Sequence, residues 1–187
     1  MLKTKQLKNR YLCCMRNGLL IVMLVLSILT SCKKDDLVDT SGTTTINNDL
    51  TLDPNLQTYI NYGFQFSKAK LVPNPNPDVT VDNDGTLDNL ILQGKVNTRF
   101  FKAGEYSTEA LAEQGFNNLN SITISQWEEW AFSIKPNQVW IVSTSDEFYA
   151  KIRIISTISE TRGTRDYAEC TFEWFYQPDG TLTFPGK

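Results

Sequence analysis

The sequence contains no histidine, and that absence removes several chemistries at once. A Ser-His-Asp or Cys-His catalytic arrangement cannot be assembled. Zinc and copper sites built on imidazole are excluded as well. Methionine is scarce: its only positions are Met1, Met15 and Met23. Cysteine occurs only at 13, 14, 32 and 170. The chain also lacks a long hydrophobic run. Its longest, Leu19 to Leu29, falls short of the roughly 20 apolar residues a spanning helix needs. Carboxylate acid–base work and oxygen-ligated calcium stay open.

What is present begins with a basic stretch carrying Lys3, Lys5, Lys8, Arg10 and Arg16. The apolar run follows, then Thr30-Ser31-Cys32. A positive n-region, a short apolar h-region and small residues before a cut mark a secretory signal. Leu29-Thr30-Ser31-Cys32 resembles the lipobox of bacterial lipoproteins. The resemblance implies cleavage before Cys32 and a diacylglycerol on its sulfur. Met15 is an alternative start that leaves the same mature chain. Lys33-Lys34-Asp35-Asp36 follows. Acids just behind a lipidated cysteine resemble a surface-export signal of some Gram-negative bacteria. The expected location is therefore the outer membrane, lipid-anchored and exposed at the cell surface.

Removing residues 1–31 changes the charge balance. Five of the 18 bases lie in the leader, and all 21 acids lie beyond Cys32. The remainder carries 13 bases against 21 acids, a net charge of −8. So acidic a chain is not expected to bind nucleic acid or anionic surfaces through general electrostatics. The mature chain has neither His nor Met. Cys170 is its lone thiol, expected as a small buried hydrophobe.

Three regions follow: a signal peptide over 1–31, a lipid-anchored tether over 32–53 and a domain over 54–187. The tether is rich in Thr, Asn and Asp and free of aromatics. Some 20 flexible residues span about 25 Å on average. Beyond it, Tyr62 to Lys68 alternates as a half-buried strand does. Pro73 to Asp78 is a loop. Asn83-Asp84-Gly85 is a turn signal before strand-like content from Leu87 to Phe101. Ser107 to Asn118 predicts a helix, with Ser107 as its cap and Gly115 near its end. Ile122 to Ile134 is ambiguous, and Ser125 with Glu128 fits a helix capping box there.

The last fifty residues are clearest. Val139 to Val142 is a buried strand. From Tyr149, alternation places Ala150, Ile152, Ile154 and Ile158 on one face, with Lys151, Arg153 and Thr157 on the other. Cys170, Phe172, Trp174 and Tyr176 share a face of the next strand. Pro178-Asp179-Gly180 turns the chain, and Thr181 to Phe184 closes a hairpin. The pattern predicts an all-β or β-dominated domain: sandwich- or barrel-like antiparallel sheets with at most one or two short helices.

Two further segments invite a site. Asp82 to Asp88 has part of a calcium loop. In the EF-hand spacing, however, positions one and twelve fall on Thr80 and Ile91, so a β-turn is the expectation and no metal site is assigned. Trp127-Glu128-Glu129-Trp130 suggests a sugar platform with two carboxylates. Adjacent carboxylates diverge on a strand or a helix, so they cannot face each other as a glycosidase requires. Core packing with a solvated acidic edge is expected instead.

Three segments carry a family resemblance: Val139-Trp140-Ile141-Val142-Ser143-Thr144, Phe148 to Ile154, and Thr171 to Gly180. Together they look like the end of the HmuY-like family of lipid-anchored, surface-exposed, β-rich proteins, whose founding members capture haem. Leu87 to Leu92 falls where that family has a Trp-Asp strand, here without the tryptophan. The family's haem binders hold iron with His or Met, which this mature chain lacks. Tyrosine or Cys170 are the remaining iron ligands, so the cofactor is unknown and haem is one possibility. The resemblance implies a non-catalytic module that binds haem or another small hydrophobic ligand. Its partners would be the membrane, through the lipid on Cys32, and an outer-membrane receptor or transporter. The alternative expectation is an accessory subunit docked on an outer-membrane complex.

Overall fold

The computed structural model describes residues 38–55, 57–85 and 89–185. Cys32, Leu29, Thr30 and Ser31 lie outside the described residues.

The described region is β-dominated, as the alternation predicts, with one α-helix and three antiparallel sheets. Its strands are β1 (Ser41–Asn47), β2 (Leu50–Asp53), β3 (Thr58–Gln65), β4 (Lys70–Pro73), β5 (Thr80–Asn83) and β6 (Leu90–Gln93). Then come β7 (Arg99–Glu105), the helix α1 (Glu109–Asn118) and β8 (Ala131–Phe132). The chain finishes with β9 (Gln138–Ser143), β10 (Tyr149–Arg162) and β11 (Arg165–Gln177). The main sheet runs β1-β11-β10-β9-β7, and the smaller ones run β2-β3-β4 and β5-β6-β8.

β1 corrects the expected tether. Thr43, Thr44 and Thr45 are β-branched residues that suit a pleated edge. They pair antiparallel with Glu173, Phe172 and Thr171, and Ile46 enters the core at 1% exposure. β2 lies in the former tether as well. The compact unit therefore begins at Val38, not at 54. A polar composition resembled a linker because only one β1 side chain is fully buried.

The main sheet has two covered faces. On one, Trp140, Val142, Ala150, Ile152, Ile154, Phe172 and Trp174 meet Phe64, Phe66, Val81 and Leu92. Phe64 touches Phe172 and Trp174 with ring centroids 6.0 and 5.1 Å apart. The expected shared face of Cys170, Phe172, Trp174 and Tyr176 is buried throughout. The other face carries Ile141, which is fully buried, under α1. Ala112 and Phe116, one helical turn apart, are the buried residues of α1.

That second layer explains two buried charges. Lys151 and Arg153 project on the face opposite Ile152 and Ile154, as the alternation places them, and they are 2% and 7% exposed. Lys151 Nζ donates to the carbonyls of Phe116 and Leu119 at 2.7 and 3.1 Å. It thereby satisfies carbonyls that a helix end leaves without partners. Arg153 donates through Nε to Glu173 at 3.0 Å and lies 2.9 Å from it through a terminal nitrogen.

Other expectations shift in detail. Thr108, not Ser107, caps α1, its Oγ1 accepting from the Leu111 N–H at 3.3 Å. The helix passes Gly115 and ends at Asn118. Gly115 is needed for approach, since a Cβ there would lie 2.2 Å from the Tyr106 hydroxyl. Segment 122–130 is not helical, so no capping box forms at Ser125 and Glu128. Its backbone pairs with β7 through two hydrogen bonds of 2.8 Å between Phe100 and Glu128. A register shift between Ile154 and Ser156 reverses the facing of β10. Thr157 then opposes Cys170, and Ile158 is 39% exposed. Thr181 to Phe184 does not form a hairpin with β11. Thr183 bridges Ser121 instead, and Phe184 is buried against Phe175 at 6.5 Å.

Candidate functional site

The strand-like stretch from Leu87 to Phe101 is interrupted between β6 and β7, where residues 94–98 turn. The Thr98 N–H closes the turn on the Lys95 carbonyl at 3.0 Å, and Asn97 takes φ 74°. Gly94 is required at its base: a Cβ there would sit 2.3 Å from the Asp78 carbonyl. This turn, with Arg99, Glu129 and Trp130, lines a cleft of about 210 Å³.

Segment 127–130 forms the other wall. Trp127 stacks on Tyr149 at 6.0 Å, while the Phe100–Glu128 hydrogen bonds fix the backbone between them and Trp130. Trp130 is 40% exposed and meets Phe132 edge-on at 5.4 Å. Val96, also lining the cleft, is the most exposed large apolar residue among the described residues, at 83%. Glu128 and Glu129 are exposed, in keeping with a solvated acidic edge. Trp130 does not join the core as expected; it forms a surface wall.

Lys95 is tied to acids. Lys95 Nζ lies 3.5 Å from Asp78 and 3.8 Å from Asp146, linking the turn to the β9–β10 loop. Burial raises the Asp78 carboxyl above its ordinary pKa, against the Phe66 N–H and Lys95, which lower it. Arg99 donates to the Thr98 carbonyl at 2.8 Å.

The remaining candidates disperse. Cys170 is fully buried, and burial pushes its thiol pKa up. Burial, then Asp78 and Asp146, push the Tyr176 phenol up to about 12. Neither lines the cleft. Tyr167 is 5% exposed and bonds Glu169. Asp82 accepts from Asn48 at 3.1 Å and from the Asn83 N–H at 2.9 Å. Asp84 accepts from Asn89, and Gly85 turns at φ 95°. Among the described residues no group of three or more His, Cys, Asp or Glu is arranged to hold a metal. The described residues include no His or Met that could hold a haem iron, and their one thiol is inaccessible.

Lys95, Val96 and Arg99 were not legible as site residues. The Gly94…Asn97 punctuation was the available signal. Comparison with protein-family models finds no match, and comparison with curated proteins finds none.

Proposed function

We propose that this protein is an outer-membrane lipoprotein, held by lipid on Cys32 and displayed at the cell surface, whose β-domain is a non-catalytic recognition module. Trp130 carries the reading of the domain: an exposed indole, braced by Phe132, at the lip of a cleft. Aromatic side chains with a polar edge suit contact surfaces that are part apolar and part wet. The HmuY-like resemblance has support in that its three segments fall on β9, β10 and β11, neighbours in one sheet. A cleft of about 210 Å³ is below the roughly 300–1,000 Å³ of most ligand pockets. It suits a small group better than a macrocycle such as haem.

Cys32→Ala tests the anchor. The variant is expected to leave the membrane fraction, and retention there would sink the lipoprotein reading. Haemin added to the full chain is expected to give no shifted Soret band; a shifted band would restore haem as the ligand.

The β2-β3-β4 sheet favours a second reading, an accessory subunit. Leu50 and Leu52 share a face with Tyr59, which opposes Leu52. They are 43%, 46% and 64% exposed. An apolar strip of this kind marks a protein contact. Retrieval of one stoichiometric outer-membrane partner, lost in Tyr59→Asp, would favour docking.

A further inference from the structure

The end of the main sheet where the chain enters the domain is also the end that carries the cleft. Ser41 opens β1 opposite Phe175. Tyr149 opens β10 opposite Gln177 and Ser143. Arg99 opens β7 opposite Ser143. These five strand ends lie side by side, four spacings or roughly 19 Å across. The Tyr176 N–H donates to the Thr40 carbonyl at 2.7 Å, which fixes the entry point. The cleft turn leads directly into Arg99, and Lys95 ties it to Asp146 in the loop before β10. Three apolar side chains are exposed along this end: Val38 at 50%, Val96 at 83% and Trp130 at 40%.

The corrected domain boundary limits how far this end can stand from a lipid. With β1 in the sheet, six residue steps lead from Cys32 to Val38. Fully extended, they reach at most about 22 Å. A diacylglycerol on Cys32 therefore keeps a bilayer surface within reach at all times. A short link raises the effective concentration of a second contact, so a weak apolar contact becomes populated.

Resting on the lipoprotein reading, and taking the small group that the Trp130 cleft receives to be a lipid headgroup, we propose that the Val38–Val96–Trp130 end seats in the headgroup layer of the bilayer that holds the lipid. Tryptophan prefers that layer because its ring is apolar and its N–H finds water or headgroup partners. Glu128 and Glu129, beside the cleft, and Asp146 and Glu147, in the β9–β10 loop, occupy the same end. These four acids outnumber Lys95 and Arg99, so the contact does not draw on anionic lipid. The orientation places the β10–β11 tip outward. Tyr149 to Arg162 covers 13 residue steps, roughly 43 Å of strand. The tip at Gly163 is then the part of this ribbon presented to the surroundings.

The test uses the full, lipid-bearing chain in phosphatidylcholine vesicles with brominated acyl chains. Trp140 and Trp174 are buried, and Trp127 is half-buried with its ring stacked on Tyr149. Bromine quenching of fluorescence is expected to come mainly from Trp130, to persist in high salt, and to be largely lost in Trp130→Phe. Val96→Asp is expected to reduce it as well. Both variants change exposed residues, and an unchanged urea midpoint verifies their folding. Equal quenching in Trp130→Phe, or none in the parent, overturns the orientation while the anchor stands. If Cys32→Ala stays with membranes, it is the anchor that fails.

Discussion

β10 and β11 form one ribbon with two differently packed halves. Over Ala150 to Ile154 every side chain of β10 is buried. Beyond the register shift at Ile154/Ser156, part-buried and exposed residues alternate, and burial ends after Ser159. The sequence alternates through much of both halves. The difference comes from what covers them. The first half has aromatic residues of the smaller sheets on one side and α1 on the other. Strand β9 pairs only as far as Arg153, and β1 only as far as Glu169. Thr161 to Arg165 is paired only within the hairpin itself. A strand becomes fully buried when both its faces acquire a layer, and its own pattern shows only one.

Three substitutions would break or sharpen this contrast. The largest effect is expected from Phe172→Ala, which empties a site bounded by Phe64 and Phe66. Loss of a buried phenyl ring costs about 3–5 kcal/mol, read as a lower urea midpoint. Lys151→Ala tests the helix-covered face. It removes two charge-assisted hydrogen bonds to the end of α1 and a contact over the Phe116 ring at 4.8 Å. Hydrogen bonds from a charged group contribute about 1.5–3 kcal/mol, so destabilisation in that range is expected. Amide exchange near residues 116–119 should rise with it. A neutral result would mean that Phe116 and Phe184 hold the layer unaided. The smallest effect belongs to the outer half. Arg162→Ala removes a guanidinium 3.3 Å above the Tyr167 ring, an exposed contact whose loss is expected to shift unfolding least. If thermal unfolding shifted as far as for Lys151→Ala, the outer half would not be the weakly packed one.

The strands that carry the core were legible from alternation and from one continuous apolar run. Cys170 to Tyr176 and Val139 to Val142 fall where the pattern puts them. β1 was not legible, because a threonine-rich edge strand reads like a linker until its partner, some 126 residues away, is known. The cleft was half legible. Trp130 and Glu129 stood out by type, whereas Lys95, Val96 and Arg99 drew no notice on their own. Only folding brings a turn after β6 against a segment some thirty residues further on.

By itself the sequence determined that imidazole chemistry is absent, that the region after Cys32 is acidic, and that a β-dominated domain follows. Composition and period-two patterning act locally, and they survive without knowledge of partners. The tertiary structure decided that the domain starts at Val38, that Lys151 and Arg153 are buried, and that Trp130 stands exposed beside Val96. Each depends on which distant segment covers a given face. Burial is a property of neighbours in space, and a single strand carries no record of them.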